Sequence, residues 1–336
     1  MKDLKSKQKV AEPARHPSER DKAGRNLPTT KEFNVPGPAY IDRLSRYVKT
    51  IRLDSLERIR NQFDKLSESY WVFRGQSDSR WGLKTSLERI AKWRDLSFNY
   101  AESLLITAFK SQAHLHATNV PAVDDDLEWV ALMQHHGCRT RLLDFTRSPY
   151  IALYFAVESV TTNGACAVWA LNSEACNERA IHRIAGLQEW TKEQILTQAE
   201  LYERNVAGRL SSATLFSRAF LSNSFSLVCT VQPRRHNTRM ASQQGCFLCP
   251  GNLSGIEGFE SNLMTQLIAG KDPKYFFPVW NPPQVFRFTI PGELRVRTLR
   301  ELKRMNINRA SLFPGLDGFA KSLSFELDLN REEQAD

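Results

Sequence analysis

Two short segments concentrate the residues able to do chemistry. One is Tyr70-Trp71-Val72-Phe73-Arg74-Gly75-Gln76. The other runs from Gln134-His135-His136-Gly137 through Thr140-Arg141-Leu142-Leu143-Asp144-Phe145-Thr146 to Ser148-Pro149 and Ala152-Leu153-Tyr154-Phe155-Ala156. Both set polar side chains against apolar runs, the pattern of a buried scaffold that presents a site at its rim. Arg74 ends an apolar strand. Its planar five-donor fork suits a phosphate or a carboxylate, or else closes a structural ion pair. Gly75 lets the backbone approach a ligand closely, and Gln76 stands beside Arg74 as a neutral donor and acceptor for the same ligand.

The second segment offers more choices. His136 falls on the apolar face of its helix and is expected to pack there, leaving His135 the freer ring. Successive helical residues diverge by about 100°, so the two rings are poorly placed to chelate one ion, and no metal is expected. Asp144 is expected to pair with Arg141, as structural support. Ser148 is expected to cap the next helix, with Pro149 at its first position. Thr146 and Ser148 would then flank a helix N-terminus able to face an anion. Further along, Gln243-Gln244-Gly245 precedes a short apolar strand, where an amide either satisfies backbone groups or lines a cleft. No G-x-S-x-G, Walker loop, dinucleotide glycine fingerprint or H-E-x-x-H occurs.

These residues need elements to hold them. Asp54-Ser55 marks a helix start, with Leu56, Ile59 and Phe63 on one face. Tyr70 to Arg74 reads as a strand. A short helix follows from Thr85 or Ser86 to Trp93. A longer one spans about Ser97 to His116, with Leu104, Leu105, Ala108 and Phe109 inward. Asp124-Asp125-Asp126 opens a helix that stops at Gly137. Strands are expected at Gly164–Leu171, Phe225–Val231, Gly245–Cys249 and Val285–Ile290, with late helices near Gly292–Met305 and Gly318–Leu327. Strands and helices in mixed order predict an α+β class.

The chain has 336 residues, 41% hydrophobic and 10% aromatic, enough to bury a sizeable core. Residues 1–36 are polar, proline-containing and basic, and read as a disordered tail. Residues 173–222 read as a helical insertion within a domain covering 37–336. No apolar run approaches the roughly 20 residues that cross a bilayer, so a soluble, cytoplasmic protein without a membrane partner is expected. The first residues lack the apolar stretch of a secretory signal. Six cysteines lie mostly in apolar runs and read as reduced core residues. The formal net charge of +9 favours anionic partners such as nucleotides or nucleic acid.

Phe73-Arg74-Gly75 resembles the tripeptide that names the FRG domain. The His135-to-Ala156 segment, Gln244-Gly245-x-Phe247 and Leu312-Phe313-Pro314-Gly315-Leu316-Asp317-Gly318 resemble further blocks of that family in its order. The family occurs mainly in bacterial and phage-associated proteins, and its activity is poorly defined.

A more distant resemblance is to ADP-ribosyltransferases, and it implies a split, mixed or antiparallel sheet with flanking helices. It also implies NAD as a substrate and a possible role as a toxin or defence effector. By that resemblance Arg74, Gly75 and Gln76 would hold the pyrophosphate, and Thr146 and Ser148 would brace the cleft. Gln244 would hold a ribose hydroxyl, with His135 or His136 near a second ribose or the acceptor. The acceptor would be a protein or nucleic acid. That family carries a Glu at the Gln244 position, and Gln supplies no charge there. The rival expectation is a non-catalytic module that binds a nucleotide or nucleic acid.

Overall fold

A computed structural model describes residues 47–66, 70–91, 97–186, 216–254, 258–269 and 285–335. The expected tail, 1–36, lies outside the described residues, as does 187–215 in the middle of the expected helical insertion. Seven strands are described: β1 Val48–Arg52, β2 Trp71–Gln76, β3 Leu143–Thr146, β4 Ala165–Asn172, β5 Val228–Val231, β6 Gly245–Pro250 and β7 Val285–Pro291. They form one sheet in the order β1-β7-β4-β2-β3-β6-β5. Only β1 and β7 run parallel; every other neighbouring pair is antiparallel.

The expected split sheet is therefore continuous, but it has a seam. β2 and β4 share six registered pairs, whereas β2 and β3 share one, Phe73 with Thr146. Beyond that pair the strands part.

The helices used below are α1 Leu56–Asp64, α2 Ser86–Ala91, α3 Phe98–Gln112, α4 Asp126–His135, α5 Pro149–Val157, α6 Ser173–Gly186, α7 Thr238–Ser242, α8 Phe259–Ala269, α9 Arg295–Arg304, α10 Arg309–Leu312 and α11 Leu316–Ala335. Strand alternation divides the core by face. Trp71, Phe73, Val168, Ala170 and Phe288 pack with α1, α5 and α9. Val72, Phe145, Trp169, Leu171 and Leu248 face the other way, against α8. On the first face, beyond the seam, Cys229, Val231, Phe247 and Cys249 pack with α4 and Phe216, Ala219 and Phe220. Thus α5 and α4 cover the same side of the sheet on opposite sides of the seam, and a space opens between them.

Local chemistry sets these elements. Ser148 Oγ accepts from the Ile151 backbone N–H at 3.3 Å, and Pro149 starts α5, as expected. α5 is buried nearly all round, through Ile151, Ala152, Leu153, Tyr154, Ala156 and Val157. It lies so close to β2 that a Cβ on Gly75 would meet the Ala152 carbonyl oxygen at 1.9 Å. Gly75 is thus required for helix-on-strand packing, a constraint beyond the expected one of letting the backbone approach a ligand. The small residues Ala152 and Ala156 complete the same close contact.

Two further expectations are corrected. Arg141 does not pair with Asp144. It is fully buried, and Nε donates to both oxygens of Glu102, at 2.7 and 2.9 Å. Nη2 donates to Glu102 and to Asn223 Oδ1, and Nη1 to the carbonyls of Phe220 and Pro250. A buried guanidinium needs a buried carboxylate, and α3 is rolled to supply one. Phe98, Ala101 and Glu102 are its buried residues, whereas Leu104 is exposed, against the expectation that it points inward. Asp144 is instead exposed, and its Oδ1 accepts from Gln134 Nε2 at 2.8 Å.

The cysteines are free, and all but the half-buried Cys138 are buried, in line with reduced core residues. Cys246 and Cys249 pack in different clusters on opposite faces of β6. No helix among the described residues is long and apolar enough to cross a membrane.

Candidate functional site

The space at the seam is a cavity of about 820 Å3. Its floor is the sheet at Phe73, Asp144, Thr146 and Phe247, and α5 contributes Phe155. α4 contributes Leu132 and His135, the 233–237 loop adds Arg234 and Arg235, and α7 adds Arg239. Arg74 and Arg89 also line it.

Arg74 sits where β2 and β3 separate. Its Nη1 donates to the Asp144 carbonyl at 2.6 Å, bridging the strands where ladder bonds have ceased. The same Nη1 is 4.0 Å from the Asp144 carboxylate. Its Nε is buried and has no hydrogen-bond partner. Burial lowers the pKa of Arg74; Asp144 opposes this, and the like charge of Arg89 adds to it. Arg89 is lowered in turn by burial and by Arg139, against the pull of Glu88 and Asp144. Arg74 and Arg89 thus repel each other at this end of the cavity, and the exposed Asp144 carboxylate attracts both.

The opposite wall is built by Glu128. Its Oε1 accepts from the backbone N–H of Arg234 and of Arg235, which pins the loop and leaves both side chains on the cavity. Gln232 accepts from Arg147 Nη2 at 2.8 Å and contacts His236, fixing the loop's other end. Arg239 stacks its guanidinium 4.8 Å from the centre of the Phe313 ring. Five arginines line the cavity against three carboxylates, Asp125, Glu128 and Asp144. Two of those three are committed to backbone N–H groups, because Asp125 caps α4. Five cations against three anions leave an excess of two positive charges on the lining, with Arg234, Arg235 and Arg239 exposed, able to attract an anion.

The sequence-predicted residues fall into two groups. Arg74, Thr146, His135 and Asp144 line the cavity together, as do Gly75 and Gln76. The Gln76 amide, however, is spent: Oε1 accepts from Trp169 Nε1 at 2.7 Å, and Nε2 donates to the Gly82 carbonyl at 3.0 Å. Thr146 Oγ1 donates to the Gln243 carbonyl at 2.7 Å and accepts from the Ser148 N–H at 3.1 Å, tying the start of α5 to the turn before β6.

Ser148, His136 and Gln244 do not line the cavity. Ser148 is occupied as the cap. His136 is the C-cap of α4, exposed instead of packed on an apolar face, because the helix ends one residue earlier. Its ring lies edge-on to His135, centroids 4.9 Å apart. Gln244 adopts a left-handed backbone (φ 46°) at the turn, and its carbonyl accepts from the Arg147 N–H. Its neighbour Gln243 lines the cavity instead, with Nε2 donating to the Leu312 carbonyl at 3.0 Å. The late Leu312-to-Gly318 block thus buttresses the turn: Phe313 meets Phe155 edge to face, and a Cβ at Gly318 would meet the Phe313 carbonyl at 1.7 Å.

The arginines beyond Arg74 escaped sequence reasoning. The Pro233-Arg234-Arg235-His236 run between two strands was the available signal. Arg89 carried none, since it joins the site only through tertiary contact.

The architecture is an α+β domain with a seven-stranded mixed sheet and an arginine-lined cavity at its seam. Residues 69–164 match the FRG domain family. That stretch contains β2 to α5, both sides of the seam, and all but the 233–237 loop, Arg239, Met240, Gln243 and the β6 start of the lining. No curated protein and no solved structure matched the chain.

Proposed function

We propose that the cavity binds a phosphate-bearing nucleotide, with NAD or a nucleoside diphosphate as the small-molecule ligand. One observation carries this reading: Arg74, Arg89, Arg234, Arg235 and Arg239 on the walls of one cavity, with aromatic side chains between them. Guanidinium groups take phosphate bidentately, and aromatic faces take a base. A volume of about 820 Å3 lies in the usual range for such pockets.

Calorimetry with NAD, ADP-ribose and ADP at low salt tests the reading. Binding that weakens as salt rises, and that falls about 10-fold or more in Arg234→Ala or Arg235→Ala, supports it. No binding by any of the three to the folded protein overturns it.

A second reading, ADP-ribosyl transfer to a protein or nucleic-acid acceptor or NAD glycosidic cleavage, draws support from Asp144. Cleaving the nicotinamide–ribose bond builds positive charge on the ribose, which a fixed carboxylate stabilises. The Asp144 carboxylate opens on the cavity beside Arg74, a charge that Gln244 cannot supply. Labelled NAD with the pure protein and cell extract separates the readings. Turnover lost in Asp144→Asn supports chemistry; binding without turnover leaves a nucleotide-binding module, the reading the geometry favours.

A further inference from the structure

Asn237 does two things on the cavity wall. Its Oδ1 accepts from the Met240 backbone N–H at 2.7 Å, capping α7. Its Nδ2 lies 3.2 Å from His135 Nδ1. The first contact decides the second. A backbone N–H can only donate, so the amide oxygen must face Met240, and the NH2 end must face the ring. An NH2 group is a donor, so Nδ1 must offer a lone pair, and the ring proton of neutral His135 then sits on Nε2. An imidazolium would set two donors against each other. Partial burial, and then the titratable and charged groups near the ring, His136 in edge contact and Arg239, also disfavour the cation, and no carboxylate contacts either ring nitrogen among the described residues.

We infer that Asn237 is a positioning residue that holds His135 in the neutral Nε2–H form, making the ring a hydrogen-bond donor to an oxygen of the bound nucleotide and not a base at Nε2. The ligand half of this rests on the nucleotide reading of the cavity; the tautomer does not.

Long-range 15N–1H correlation spectra of the full chain, with His135→Gln to assign the signals, read the tautomer directly. His135 Nδ1 is expected in the unprotonated range and Nε2 in the protonated range. Asn237→Asp keeps the cap, since its carboxylate still accepts from Met240, but turns an acceptor toward the ring. The proton is then expected on Nδ1, and the titration midpoint is expected to rise by roughly 1 pH unit. An Nδ1–H tautomer in the native chain overturns the inference, as does an Asp variant with unchanged tautomer and midpoint. In the ligand arm, saturating ADP is expected to shift the His135 Nε2 signal. ADP that binds without moving it overturns the donor role, whereas ADP that fails to bind overturns the cavity reading instead.

Discussion

Replacing Glu102 with Gln should cost this protein a large part of its stability. Arg141 has no exposed surface and the Glu102 side chain only 5%. The carboxylate takes three of the six hydrogen bonds made by the guanidinium, and the others go to two backbone carbonyls and one amide oxygen. Those neutral acceptors cannot balance the charge, so the variant leaves an uncompensated cation in the core. Breaking a buried pair in this way costs about 3–5 kcal/mol, or roughly 4–7 °C in Tm for a chain of this size. Urea denaturation followed by tryptophan fluorescence gives the midpoint and slope. The Glu102→Ala, Arg141→Met double variant should recover part of the loss, because it removes both charges. A shift below about 1 kcal/mol in Glu102→Gln would mean that Arg141 reaches solvent or another anion, and the argument for the rolled α3 would fall with it.

Asp144→Ala should change Tm little, within about 0.5 kcal/mol, since its carboxylate is exposed and bonded to one side-chain amide; a large loss by calorimetry would restore it to a structural role. Gly75→Ala should destabilise by about 1–3 kcal/mol or prevent folding, because the nearest obstacle is the backbone of α5; a soluble variant with native Tm would refute that packing. Stability should also fall with rising pH through one buried acid. Burial pushes Glu260 up to about 7 from an ordinary 4.5, although the Leu83 N–H bond favours the charged form. The fold prefers the neutral acid. Its contribution is therefore complete below about 4.5 and is lost as pH rises through 7, a change of roughly 3 kcal/mol. Glu260→Gln should flatten that slope between pH 5 and 8, and an identical slope in the variant would count against it.

Features governed by neighbouring residues were legible in the sequence. The Ser55 and Ser148 caps, the stop at Gly137 and the strands flanking both polar segments follow from capping, backbone conformation and alternation, and they stand where expected. Contacts set across long separations were not. Nothing near Arg141 names Glu102, 39 residues earlier, as its partner, and Asp144 was the nearer carboxylate. β1 and α8 were also missed: β1 is a five-residue edge strand whose partner β7 lies at the far end of the chain, and α8 follows a glycine-rich stretch. In the site, Arg74 and Thr146 were visible because they flank the seam on regular strands. The loop arginines owe their placement to a backbone contact with Glu128, which no local pattern announces.

The single rung between β2 and β3 gives the sheet a fold line, like the spine of a book. On one face α8 packs across both boards, while the backbone of the spine itself is held by one registered pair and the Arg74 strut to the Asp144 carbonyl. A guest that draws Arg74 toward its own oxygens would compete with that strut, so occupancy and the tie between β2 and β3 draw on the same side chain.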